Sequence, residues 1–175
     1  KVKDFLIWKN TDNTWTTVSE YLERNREKNK DKIFYTRDEK HGSHFLTMYK
    51  EKGLEVLCAD SPLDPYLMES LERKLSPVKF QRIDATIDDT LLDKEREKTI
   101  LDQSGRTEAA HLADFIRSKL ADDKIAVEAK SLATDTLPGI VVMDENQRRM
   151  RDYMLSLDPK DVSGNMHLIQ KRTFV

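Results

Sequence analysis

KIFYTRDEKHGSHFLTMYKEKGLEVLCADSPLDPYLMESLERKLSPVKFQRI, residues 32–83, holds the changes of period that decide the fold. KIFYT, Lys32 to Thr36, is β-branched and aromatic and predicts a strand. In HFLTMYKEKG, Phe45, Met48 and Tyr49 share one helical face, and Gly53 stands where a C-terminal cap belongs. LEVLCA, residues 54–59, is a continuous apolar run, the pattern of a strand buried on both faces. Asp64 and Pro65 open the next helix as a capping acid and a proline whose missing N–H costs nothing. Leu67, Met68, Leu71 and Leu75 then form its apolar stripe. VKFQRI, residues 78–83, predicts a third strand. Strand, helix, strand, helix, strand implies parallel pairing through right-handed crossovers. The expected fold is a small three-layer αβα unit with a short parallel sheet. Tyr66 is the exception to the pattern. At about 100° per residue it points away from the stripe. A trivial surface tyrosine, a domain contact and a handle for a partner all fit.

Working outward, DFLIW (residues 4–8) reads as a short strand and TDNTWTT after it as a polar turn. Ser19 can cap a charged surface helix in which Val18, Tyr21 and Leu22 are the few apolar residues. After Asp84 the composition shifts to acidic and mixed charge, which places a boundary within residues 84–95. Residues 1–86 and 87–175 are the two expected domains. In the second, Gly105 interrupts a long helical pattern. Leu112, Phe115, Ile116 and Leu120 then mark an amphipathic helix. KIAVEAKSL and GIVVM read as strands, joined by a polar turn ending in Leu137, Pro138 and Gly139. DENQRRMRDYMLSL reads as a helix with Met150, Tyr153, Met154 and Leu157 on one face, and MHLIQKRTFV as a last strand. This half is α+β, with antiparallel pairing expected between its central strands.

The chain has 175 residues, of which 35% are charged and 38% hydrophobic. Clear apolar periodicity argues against disorder. Thirty basic against thirty-two acidic residues leave a net charge of −2. No global basic excess points to nucleic acid, and no apolar run is long enough to cross a bilayer. A single cysteine, Cys58, excludes an internal disulfide and fits a reducing cytoplasm. The first residue is Lys rather than Met, so the sequence is expected to be a piece of a longer protein.

The search for chemistry is largely negative. The DSPLD loop after LEVLCA, residues 60–64, is where an α/β unit would bind a small molecule. It has no glycine, and no phosphate-loop motif occurs anywhere among five glycines. His41 and His44 form H-x-x-H beside Asp38 and Glu39, but a catalytic zinc wants a third protein ligand, and the plainer reading is a solvated loop. Cys58, inside an apolar strand, is expected to be a buried, inert thiol. His111 and His167 have no sequence-local nucleophile partner. The pairs Asp88-Asp89 and Asp122-Asp123 read as solvated. RRMRDYML interleaves Arg148, Arg149 and Arg151 with Met150, Tyr153 and Met154. Methionine suits a surface that accepts several partners, although the pattern alone favours a core stripe.

At this point the residues resemble a known family, the ninety-kilodalton heat-shock chaperones. The family's middle domain ends in a charged helix, "KIYY", a helix closing in lysine and glycine, "EVL", a loop with aspartate, a helix opening on an aromatic, and a strand with phenylalanine. The counterparts are EYLERNREKNK, Lys32-Ile33-Phe34-Tyr35, Lys52-Gly53, Glu55-Val56-Leu57, Asp64, Tyr66 and Phe80. SLATDTLPGIVVMDE resembles the family's "L-T-D-T-P-A-I-V" through Leu132, Thr134, Asp135, Thr136, Pro138, Ile140 and Val141. The short connection between the halves looks most like the bacterial branch.

The resemblance implies a dimeric, ATP-driven chaperone of which this chain is the end of the middle domain and the start of the C-terminal domain. It implies no catalytic residue, metal or cofactor here, because ATP and Mg belong to the parent's N-terminal domain and the catalytic arginine to the missing middle-domain part. It implies client-protein contacts at Tyr66 and on the helix 146–157, with Met150, Tyr153 and Met154 the contacting residues. Two departures stand out. Pro65-Tyr66 replaces the bacterial Glu-Trp, and Asn146 falls near a position that is Met there; both shrink the apolar surface. The family's dimer helices follow the final strand, so a monomer or weak dimer is expected. The contrasting expectation is an enzyme or small-molecule-binding α/β domain using loop 60–64.

Overall fold

The computed structural model describes residues 5–37, 43–85, 87–92, 107–120, 125–130, 132, 140–157 and 172–174. The chain divides into two compact units, residues 1–86 and 87–175. Each is a mixed α/β arrangement.

The first unit begins with a hairpin, β1 (Ile7–Asn10) and β2 (Trp15–Thr17). Asn10 builds its turn: the side-chain oxygen accepts from the N–H groups of Asp12 and Thr14, and Asn13 takes a left-handed φ of 64°. The sequence reading took TDNTWTT as turn alone, yet its last three residues are a strand. Polar threonines on an edge strand carry no apolar alternation to reveal them. Helix α1 (Val18–Arg24) follows without a linker. Its cap is Thr17, not Ser19: Thr17 Oγ1 accepts from the Glu20 N–H, and the Glu20 carboxylate accepts from the Thr17 N–H at 2.8 Å. One residue therefore ends the strand, starts the helix and uses its own N–H in the cap.

β3 (Lys32–Thr36), α2 (Ser43–Glu51), β4 (Val56–Cys58), α3 (Asp64–Lys74) and β5 (Lys79–Arg82) complete the unit. Gly53 adopts φ 63° after α2, the left-handed closure expected of it. β3 pairs in parallel with β4 and β5, as the crossovers require. The sheet is nevertheless longer and more mixed than a short parallel one. β1 joins β4 antiparallel, giving five strands in the order β2-β1-β4-β3-β5.

Period-2 alternation along β3 explains the layering. Ile33 and Tyr35 belong to a core with Val18 and Tyr21 of α1, Met68 and Leu71 of α3, and Trp8 and Phe80 of the sheet. Phe34 points the other way and meets Tyr49 of α2 edge-on, with centroids 4.7 Å apart. Helices thus cover both faces of the sheet.

Glu55 is the polar pin of this unit. Its carboxylate accepts from Arg24 Nη2 (2.8 Å), Asn25 Nδ2 (2.8 Å) and Asn10 Nδ2 (2.9 Å). Burial alone would raise its pKa, but these bonds from Arg24, Asn10 and Asn25 outweigh burial and hold the carboxyl below its usual range. Its backbone carbonyl accepts from the Tyr21 hydroxyl at 2.7 Å, and that hydroxyl accepts from the Phe34 N–H. Burial pushes the Tyr21 hydroxyl well above its ordinary pKa, so it stays protonated and can donate. Hairpin, α1 and the approach to β4 meet at one residue.

Among its described residues the second unit contains a 3-10 turn (Asp89–Leu91), α4 (Glu108–Leu120), β6 (Ile125–Val127), β7 (Val141–Val142), α5 (Glu145–Leu157) and β8 (Arg172–Phe174). The expected antiparallel pairing of the central strands is not what forms. β8 lies between them, parallel to β6 and antiparallel to β7. Short apolar runs fix strand identity but not strand order, so the last strand could claim the middle. Asp88 is buried rather than solvated: it caps the 3-10 turn through the Thr90 N–H (3.0 Å) and hydroxyl. Gly105, Asp122, Asp123, His167 and the turn 137–139 lie outside the described residues.

Candidate functional site

Tyr66 sits in the first turn of α3 and is 52% exposed, while Met68 and Leu71 on the opposite side are buried. Asp64 does not cap this helix as expected; Leu63 occupies the cap position without a side-chain bond. The reason is a stronger demand on Asp64. It is buried, its Oδ1 accepts from Trp8 Nε1 at 3.0 Å, and its Oδ2 accepts from the Ser61 N–H at 2.9 Å. A buried indole N–H needs an acceptor. That bond ties the start of α3 to β1 and so fixes where Tyr66 and its exposed neighbour Leu63 are presented.

Beside this turn lies an open groove of about 360 Å³, lined by Leu6, Ile7, Trp8, Trp15, Leu67 and the loop residues Asp60 and Ser61. Cys58, the last residue of β4, lines it too and is only partly buried. The expectation of a buried thiol fails on one face of the strand only: Ala59, the next residue, points the other way and is buried in the core. The groove is the concavity that a small-molecule site in loop 60–64 would use. Its one buried acid, Asp64, has both oxygens hydrogen-bonded to Trp8 and Ser61, and the other charged residues of the lining are Lys9 and Asp60.

In the second unit, α5 opens on Asp144, whose side chain accepts from the N–H groups of Asn146 and Gln147. Glu145 and Arg149 pair at 2.7 Å one turn on. Met150 and Tyr153 are 50% and 46% exposed, and Met154 is intermediate. At spacings of three and four residues these side chains are neighbours on one helix. The core-stripe reading therefore does not describe Met150 and Tyr153. Sequence reasoning missed a parallel feature on α4: Leu112 and Phe115 are exposed, and it is Ala113 that is buried.

The remaining candidates have ordinary surroundings. His44 is exposed, with its ring 4.2 Å from that of Phe45; His41, Asp38 and Glu39 lie outside the described residues. His111 is exposed on α4. Among the described residues no three His, Cys, Asp or Glu side chains cluster as a metal site, and no helix is long and apolar enough to cross a membrane.

What this arrangement can do is bury apolar surface of another molecule: it presents an aromatic from a rigid helix start and a methionine–tyrosine face. Comparison with known proteins gives the family. The family model described as "Hsp90 protein" matches residues 1–174, and the chain belongs to that family. It is similar to bacterial relatives named chaperone protein HtpG. The relative from Bacteroides fragilis strain YCH46 is 27% identical over 158 residues, 87% of this chain and 23% of that protein. That from Bacteroides thetaiotaomicron is 27% identical over 160 residues. That from Porphyromonas gingivalis strain ATCC 33277 is 29% identical over 131 residues, 73% of this chain and 19% of the relative. The chain thus spans about a quarter or less of the curated relatives it matches.

Proposed function

We propose that this chain is the client-contacting and domain-coupling part of a molecular chaperone of the HtpG type. Tyr66 on the first unit, and Met150, Tyr153 and Met154 on the second, bury apolar segments of partly unfolded proteins. Methionine and aromatic side chains adapt to varied partners, which gives weak and unselective binding. ATP, Mg and the hydrolytic step belong, in this proposal, to other parts of a dimeric parent, and this chain does no chemistry of its own. The observation that carries the reading is the exposure of Tyr66 on a helix start locked from beneath by the buried Asp64–Trp8 bond. An aromatic held rigid in water loses little entropy when it is covered.

The test is binding of a partly unfolded model protein to the chain and to a Tyr66→Ala, Met150→Ala, Met154→Ala variant, with folding checked by circular dichroism. A tenfold or greater loss, about 1.4 kcal/mol, in a variant that stays folded is the expected result. Unchanged binding sinks the proposal.

A further inference from the structure

We propose that Glu72 is a gate on the outer edge of β5. Its carboxylate holds the backbone group through which β5 would pair with β5 of a second copy of this chain. The proposal is independent of the client-contact reading and uses none of its residues.

The sheet defines the edge. Among the described residues β5 is last in the strand order and pairs, in parallel, with β3. Lys79 and Ile83 donate their N–H groups to that side, to the carbonyls of Asp31 (2.8 Å) and Tyr35 (3.0 Å). Backbone groups alternate in direction along a strand, so the N–H and C=O of Phe80 and Arg82 face the outer side. Two of these groups are claimed from within the chain: the Phe80 N–H donates to Glu72 Oε1 at 2.8 Å, and the Arg82 C=O accepts from the Ala85 N–H at 3.1 Å. Met68 and Leu71 of α3 are buried in the same core as Phe80, so a fixed helix delivers the carboxylate to the edge. A carboxylate is also a stronger acceptor than the carbonyl of an arriving strand.

Symmetry names the occupant. Residues facing each other in an antiparallel pair exchange both of their hydrogen bonds at every second position. A twofold axis at Gln81 sets Phe80 of one copy opposite Arg82 of the other, and the same patch serves both sides. The Phe80 N–H of each copy would then bond the Arg82 C=O of the other, and those are the two groups already claimed. Charge does not oppose the match. Gln81 faces Gln81 and Lys79 faces Ile83, so no like charges stand directly opposite each other. The fold thus carries a self-complementary edge and a side chain that closes it.

The experiment compares the native chain with Glu72→Ala and Glu72→Gln. Sedimentation equilibrium reads association, hydrogen exchange reads the Phe80 amide, and circular dichroism checks folding. In dilute Glu72→Ala the Phe80 amide should exchange at least tenfold faster than in the native chain. As concentration rises this variant should associate at least tenfold more tightly than the native chain, and the Phe80 amide should regain protection. Glu72→Gln, which keeps an acceptor oxygen, should follow the native chain. A folded Glu72→Ala chain that associates no more than the native one overturns the proposal. Association that leaves the Phe80 amide unprotected also overturns it, because the contact then lies elsewhere. A Phe80 amide that exchanges in the native chain at the rate of an unfolded peptide overturns it without any variant.

Discussion

Replacing Glu55 by alanine should destabilise the first unit by about 3–5 kcal/mol. The figure follows from what the carboxylate holds. Asn10 and Asn25 are both buried, and each donates one amide N–H to it. A buried donor stripped of its partner costs about 1–3 kcal/mol. Arg24 is nearly half exposed and can rehydrate, so its loss adds only about 0–1 kcal/mol. The terms add to about 2–7 kcal/mol, and about 3–5 kcal/mol is the middle of that range. Glu55→Gln keeps an acceptor oxygen and should cost less, about 1–2 kcal/mol. Urea denaturation followed by tryptophan emission is the assay, because both tryptophans lie in the first unit and report it separately from the second. The pH dependence has a definite sign. The folded carboxyl lies below its reference value of 4.5, so its contribution is complete above that pH and fades as pH falls through the lower folded value. The gap between the native chain and Glu55→Gln should therefore narrow in acid. A loss below about 1 kcal/mol for Glu55→Ala, or a gap independent of pH, would falsify the picture of Glu55 as the pin.

Further expectations concern the same unit. Asp64→Ala leaves the buried Trp8 indole N–H and the Ser61 N–H without their acceptor and should cost about 2–4 kcal/mol in urea melts; Asp64→Asn, which can still accept from Trp8, should cost less than half of that. Gly53→Ala imposes a φ of 63° on a residue with a Cβ, which would also meet Lys28 Nζ at 3.2 Å; the lysine end can move, leaving a backbone cost of about 1–2 kcal/mol in thermal melts. Met68→Ala empties a fully buried position beside Leu71 and should cost about 2–5 kcal/mol. Tyr66→Ala removes a half-covered side chain and should cost about 1–2 kcal/mol, little enough to leave the unit folded, so a larger loss of client binding is not a folding effect.

The core of the first unit was legible because its elements are long and periodic. Lys32 to Thr36 reads as a strand and is one, and Gly53 closes its helix in the left-handed conformation expected of it. The hairpin was not legible, because Trp15–Thr17 is a polar edge strand whose alternation is hidden by threonine. The role of Asp64 was misread for a related reason. The capping pattern is local, but the Trp8 N–H that claims the side chain is 56 residues away in sequence. Tyr66 was visible as a residue outside its helix's stripe, and Met150, Tyr153 and Met154 as one apolar face that the pattern alone assigns to a core. Whether such residues lie inside or outside is settled by what packs over them, which periodicity does not encode. The groove had no local signal, since its walls come from a hairpin and a helix far apart in the chain.

The Thr17–Glu20 box, described above as a helix cap, has a consequence for self-association. β2 is one of the two outer strands of its sheet, β5 being the other, and an outer strand with free N–H groups invites another strand to add to it. Here the Thr17 N–H is already taken by the Glu20 carboxylate, and the chain turns at once into α1, so this edge is three residues long and offers one donor fewer. In the proposed client role, an extended chain arriving at this edge meets side chains and a capped N–H rather than an open backbone ladder.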